Sequence, residues 1–226
     1  MKALHPILLA MSLAGVGHAA SIVQTKTFTF VPEDTAPLTF NQFDSSLGTL
    51  TSIVITTSLT KSGGSLFVDN ESATPASGNI NQSVTITLSS SAVSLIDTSL
   101  QPIGNGIAAT SVYFANVGAD DGDGPGVQSV GADYDGTSFS EVSAGQTRNV
   151  NEIAWSGYTG LGTYLIDANG VQGFNTSAIG GAAVAIDPAT ASGEVSITYN
   201  FNAVPEPSAA LMGAVGLLAL LRRHRS

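Results

Sequence analysis

The 226-residue sequence has no cysteine, so no disulfide can staple it, and a chain that leaves the reducing cytoplasm must rely on its hydrophobic core. Histidine is nearly as scarce. His5, His18 and His224 all fall in the first 18 or last three residues, which leaves the interior of the chain without one. A chain without these residues excludes Ser-His-Asp and Cys-His catalysis and the usual His- or Cys-ligated zinc site. Positive charge is also sparse, at seven Lys and Arg against 17 Asp and Glu. Four of those seven basic residues lie in the two terminal segments. Between them, residues 20–203 keep Lys26, Lys61 and Arg148 against sixteen carboxylates, a net charge of −13. Such a surface repels phosphate backbones and anionic headgroups, which excludes nucleic acid as a partner and argues against direct binding to an anionic lipid surface. Divalent cations and neutral sugars remain compatible with it.

Long apolar runs are confined to the ends. Lys2 precedes the apolar stretch 7–16 and the small residues Gly17, Ala19 and Ala20, the order of a secretory signal peptide. Residues 1–19 are therefore expected to be removed by signal peptidase, with the cut between Ala19 and Ala20. The stretch is too short to cross ~30 Å of hydrocarbon at ~1.5 Å per residue.

The interior alternates. In 22–31, Val23, Thr25, Thr27 and Thr29 share one face and Gln24, Lys26, Phe28 and Phe30 the other, a period of two that predicts a strand. Similar runs at 48–59, 83–88, 111–116, 162–166 and 194–201 predict further strands. Turn formers are read at 61–64, 76–79, 104–106 and across the glycine- and aspartate-rich 118–136. Short strands with frequent turns predict an all-β fold, an antiparallel β-sandwich or jelly roll, as a single domain over 20–203.

The C-terminal stretch 204–226 reads Val204, Pro205, Glu206, Pro207 and Ser208, then an apolar segment 209–221, then Arg222, Arg223, His224 and Arg225. The prolines keep the first part extended, and the arginine cluster would hold the end on the cytoplasmic side of a membrane. These three parts resemble the PEP-CTERM sorting signal of Gram-negative bacteria. The resemblance implies a transmembrane-type sorting helix, a transient inner-membrane stage and processing by an exosortase-type enzyme near Pro205, Glu206 and Pro207. It also implies an association with exopolysaccharide at the cell surface. Upstream, L-G-T-L-T-S-I-V-I-T at 47–56, V-D-N-E-S at 68–72 and G-E-V-S-I-T-Y-N-F at 193–201 resemble the choice-of-anchor E domain, a family of exported proteins. This resemblance implies no catalytic residues.

Two interior features suggest ligand chemistry. Asp120, Asp121 and Asp123, with Asp133 and Asp135 further on, put carboxylates on a glycine-bent loop, a pattern that supplies hard oxygens to calcium. No glutamate closes an EF-hand there, and Asp and Gly are also ordinary turn formers. Trp155 and Tyr158 offer aromatic faces on which a sugar could stack. The reading is a non-enzymatic cell-surface or matrix protein. The alternatives are a carbohydrate-binding module, calcium-assisted through the aspartate loop, and a glycan hydrolase working through paired carboxylates.

Overall fold

Phe28 and Phe30 are buried, whereas Thr25, Thr27 and Thr29 between and before them face solvent, so the two-residue period of the first strand sorts apolar from polar side chains. The same sorting recurs in the longer of eleven strands of a computed structural model that describes residues 18–124, 126–127 and 131–204. They are β1 (Ala19–Phe30), β2 (Asp34–Asn41), β3 (Gly48–Ser62), β4 (Ser65–Asn70), β5 (Ala76–Ser89) and β6 (Ile107–Val117). The rest are β7 (Tyr134–Ser138), β8 (Val142–Asn149), β9 (Thr163–Asn175), β10 (Ala182–Asp187) and β11 (Thr190–Ala203).

One four-stranded sheet has the order β1-β11-β3-β8 and a second β2-β9-β5-β6, with every strand pair antiparallel. The chain crosses between the sheets so that strands distant in sequence become neighbours, the double Greek key of a jelly roll. Their facing sides bury Phe28, Phe40, Ile53, Ile55, Val84, Ile86, Ile166, Val195, Ile197 and Tyr199 in one core. The remaining strands, β10-β4-β7, form a third sheet. Each of them interrupts a connection at the same end of the sandwich. A second core of Leu66, Val68, Ile80, Ala115, Val117, Phe139 and Ile179 joins this sheet to the adjoining ends of β5 and β6.

Registry defines two poles. Ala19 opposes Asn202 and Gly48 opposes Ala203, so the chain enters and leaves the fold side by side. Loops 42–47, 90–106 and 150–162 close this end, stitched by the bridges Phe43–Thr159 and Asp97–Val150. Val117, Asn70 and Tyr134 lie at the other end. The ten-residue advance along β6 from Ile107 to Val117 alone covers about 33 Å.

The structure corrects several sequence expectations. Residues 76–79, read as a turn, open β5, where they pair with 114–117 of β6. Gly78 owes its place there to close packing, since the Ala178 methyl occupies the space a side chain would need. The end of the supposed 118–136 loop is β7. A single helical turn, α1 (Trp155–Tyr158), interrupts the β structure. The segments 1–17 and 205–226, with Pro205, Glu206, Pro207, Arg222, Arg223 and Arg225, lie outside the described residues. Among the described residues no helix is long and apolar enough to cross a membrane.

Candidate functional site at the acidic pole

β4 and β7 are sixty-odd residues apart in sequence but hydrogen-bonded, with Asp69 opposite Tyr134. That pairing carries Asp133, the residue before β7, against the end of β4, where the Asn70 N–H donates to the Asp133 carbonyl at 3.0 Å. The Asn70 side chain donates to the carbonyls of Thr74 at 2.9 Å and Gly118 at 2.5 Å. Gly118 N–H donates to Ala132 O at 2.7 Å, and Asp120 N–H to Ser72 O at 2.9 Å. Three chain segments are thereby tied together around one point.

Around that point Asp120, Asp123 and Asp133 bring carboxylate oxygens within 4.8 Å of one another. Asp133 is 1% exposed. Its Oδ2 accepts the Asp121 N–H at 2.9 Å, but its Oδ1 is buried without a hydrogen-bond partner. An ionised oxygen in that position is costly unless a cation or donor meets it. Beside it, a Cβ on Gly131 would stand 2.5 Å from Asp133 Oδ1 and 2.6 Å from Asp121 Oδ2. Gly131 thus leaves open a small cradle walled by two carboxylates, at a φ of +121° that other residues rarely adopt. Asp120 Oδ1 is held by the Gly122 N–H at 2.8 Å, and Glu71 Oε1 by the Gly126 N–H at 2.9 Å. Desolvation, followed by the charges of Asp121, Asp69, Asp133 and Glu71, pushes the Asp123 carboxyl above its ordinary range.

Asp135 plays another part. Its Oδ1 accepts from Tyr113 Oη at 2.9 Å and Gly136 N–H at 2.7 Å, and its Oδ2 from Asn116 N–H at 2.8 Å. It locks β6 to β7 with both of its oxygens. A set of hard carboxylate oxygens on an irregular loop suits a hard divalent cation.

The fold therefore brings the predicted Asp120, Asp121 and Asp123 together and adds Asp133, with Asp69 and Glu71 close enough to contribute charge. The signal for Asp133 was its place in the same glycine-rich stretch. Nothing in the sequence links Asp69 to it.

Trp155 and Tyr158 are not where a sugar site needs them. Tyr158 is fully buried, donates its hydroxyl to Ser94 O at 3.0 Å and packs edge-on to Tyr164 at 5.2 Å between centroids. Trp155 packs against the main core and donates its indole N–H to Val150 O at 3.3 Å. Both belong to the pole where the chain enters and leaves, opposite the aspartates. A joint aromatic and aspartate contact with a sugar is ruled out by that separation, and stacking on Tyr158 by its burial.

Compared with known protein families, the sequence matches none, and compared with curated proteins it also matches none. Among solved structures it is similar to a chain of infectious bursal disease virus Gt strain, with 13% identity and a TM-score of 0.19, covering 90% of this chain and 50% of that one. A chain of the T13 viral particle of the same virus gives 15% identity and a TM-score of 0.18, covering 84% and 41%. The protein thus spans half or less of the length of these chains, and likenesses this shallow transfer no function to it.

Proposed function

We propose that this protein is a non-enzymatic β-sandwich of the cell surface or extracellular matrix, exported through its N-terminal segment and sorted through its C-terminal one by an exosortase-type system. The carrying observation is the pairing of β1 with β11. The first strand opens at Ala19, where the signal peptide is expected to end, and the last closes at Ala203, immediately before the sorting motif. The described strands thus fill the stretch between the two expected addresses. Among the described residues, removing the chain up to Ala19 costs the Ala19–Asn202 pair at the end of an edge strand and the hydrogen bond from Ala203 N–H to His18 O at 2.9 Å.

The side-by-side chain ends and the distribution of carboxylates support tethering by that pole. Leu47, Leu100, Ile153, Leu161 and Val204 are exposed there, while Val31, Val112, Phe114, Val171 and Phe174 are exposed nearer the other pole. The one buried carboxylate at the pole of the chain ends, Asp97, faces Arg148 at 3.8 Å. The carboxylates gather at the far pole, so a chain tethered by the pole of its two ends would turn its acidic end outward, toward an exopolysaccharide layer. The absence of histidine and cysteine between the addresses, and the engagement of Asp135 in structural hydrogen bonds, favour display over catalysis.

Mass spectrometry of the mature protein from its own host tests this. The expected species begins at Ala20 and has lost the residues beyond the Pro205–Pro207 region. A mature chain that still starts at Met1 or ends at Ser226 would refute the proposal.

A further inference from the structure

We propose that the acidic pole is a calcium site, in which Asp133 is the buried ligand, Asp120 and Asp123 converge on it, and Asp121 flanks it across the Gly131 cradle. The inference is independent of how the protein is sorted. It rests on the buried Oδ1 of Asp133, which has no hydrogen-bond partner, on a residue that also brings a carboxylate oxygen within 4.8 Å of oxygens of Asp120 and Asp123. It rests equally on the cradle at Gly131, where any side chain would displace the oxygens of Asp133 and Asp121.

The chemistry selects the ion. Zinc favours nitrogen and sulfur ligands, and no histidine or cysteine lies between the two terminal segments. Magnesium demands a near-ideal octahedron, whereas calcium accepts six to eight oxygens in irregular array. Here the ligands come from a loop fixed by its own backbone donors, with Asp69 and Glu71 adding negative charge nearby. Extracellular calcium modules of this kind work at roughly 10⁻⁴–10⁻³ M. Calcium is far scarcer than that inside a cell, so a site of this strength fills outside a cell rather than within it.

Filling it has a structural consequence. The ligands lie on the segment after β6 and on the residue before β7, and the latter is bonded to the end of β4. One ion would cross-link these segments and relieve the repulsion among their carboxylates. It would tighten the third sheet against β5 and β6 without touching the tethered pole.

The test uses the full chain in detergent micelles, with calorimetric titration of calcium and thermal melts in EDTA or in calcium at constant ionic strength. Calcium at a hundredfold excess over Kd is expected to raise the melting temperature by about 5–10 °C. Asp133→Asn is expected to abolish the binding heat and the calcium-dependent rise, yet to melt higher than the parent in EDTA, because it removes a buried charge met only by the Asp121 N–H and leaves the amide oxygen to accept that bond. A purely structural role for Asp133 would lower the EDTA melt instead. If that variant does not fold, Asp123→Asn, on the exposed rim, decides by weakening calcium binding about tenfold with an EDTA melt no lower than the parent's. Asp135→Asn should lower stability and keep the calcium increment. No binding heat and no rise in melting temperature at 10 mM calcium would overturn the proposal. So would an equal response to magnesium, or a calcium increment that survives in both Asp133→Asn and Asp123→Asn.

Discussion

Tyr199 and Tyr164 reach across the main core from opposite sheets, with hydroxyl oxygens 2.7 Å apart and both residues buried. Tyr199 Oη also donates to Asn41 O at 3.1 Å, which fixes the direction of the pair: Tyr164 donates to Tyr199. Asn41 O has a second donor, Gln24 Nε2 at 2.9 Å. Tyr199→Phe therefore leaves Asn41 satisfied but strands the Tyr164 hydroxyl in an apolar core, at a cost of about 1–3 kcal/mol for an unmet donor together with the lost bond. Tyr164→Phe leaves Tyr199 still donating to Asn41 and should cost only about 0.5–1.5 kcal/mol. The double variant removes both hydroxyls, strands neither, and should be more stable than Tyr199→Phe alone. With about 2–4 °C per kcal/mol for a fold of this size, urea or thermal melts of the two single variants and the double can resolve the order. A double variant that melts lower than Tyr199→Phe would refute the assigned direction of donation.

Two further predictions follow from buried groups. Burial pushes Tyr199 up to about 12, and Tyr158 and Tyr164 also rise above their ordinary value, so the folded chain keeps these protons where the unfolded chain, near pH 10, gives them up. Above that pH the unfolded state binds fewer protons, and stability falls with a slope approaching about 1.4 kcal/mol per pH unit for each tyrosine. The buried Lys61 ammonium, lowered by desolvation, opposes this with one proton against three. The urea midpoint should hold to about pH 9.5 and then fall, and a midpoint that stays flat to pH 11 would contradict the burial of the triad. Gly170 lies under the Phe30 ring, which fills the space its Cβ would take. Gly170→Ala should cost about 1–3 kcal/mol through overpacking, a loss that Phe30→Leu in the same chain partly restores. An unchanged melt for Gly170→Ala alone would count against that contact.

Several elements were legible because a strand prints its two faces directly into the chain. The alternation at 22–31, 48–59 and 194–201 places Phe28, Phe30, Ile53, Ile55, Ile197 and Tyr199 inward, as the structure has them. β2, β4, β7, β8 and β10 were not legible. They are short or rich in Gly, Ser and Asp, and they become strands only because a paired neighbour satisfies their backbone groups. The same cause hid 76–79, whose polar and small residues look like a turn until β6 lies beside them.

The sequence alone excluded disulfides and His- or Cys-based chemistry between the terminal segments, set the acidic charge and gave the all-β class, because composition and local periodicity need no partner to be read. Tertiary structure decided what the aromatics and the aspartates are for. It buried Tyr158 in the core, committed Asp135 to Tyr113 and Asn116, and separated Trp155 from the aspartate loop by the length of the sandwich. It also brought Asp133 beside Asp120 and Asp123, close to Asp69 and Glu71 on another strand, because the pairing of β4 with β7 is a contact between distant segments that no local pattern encodes.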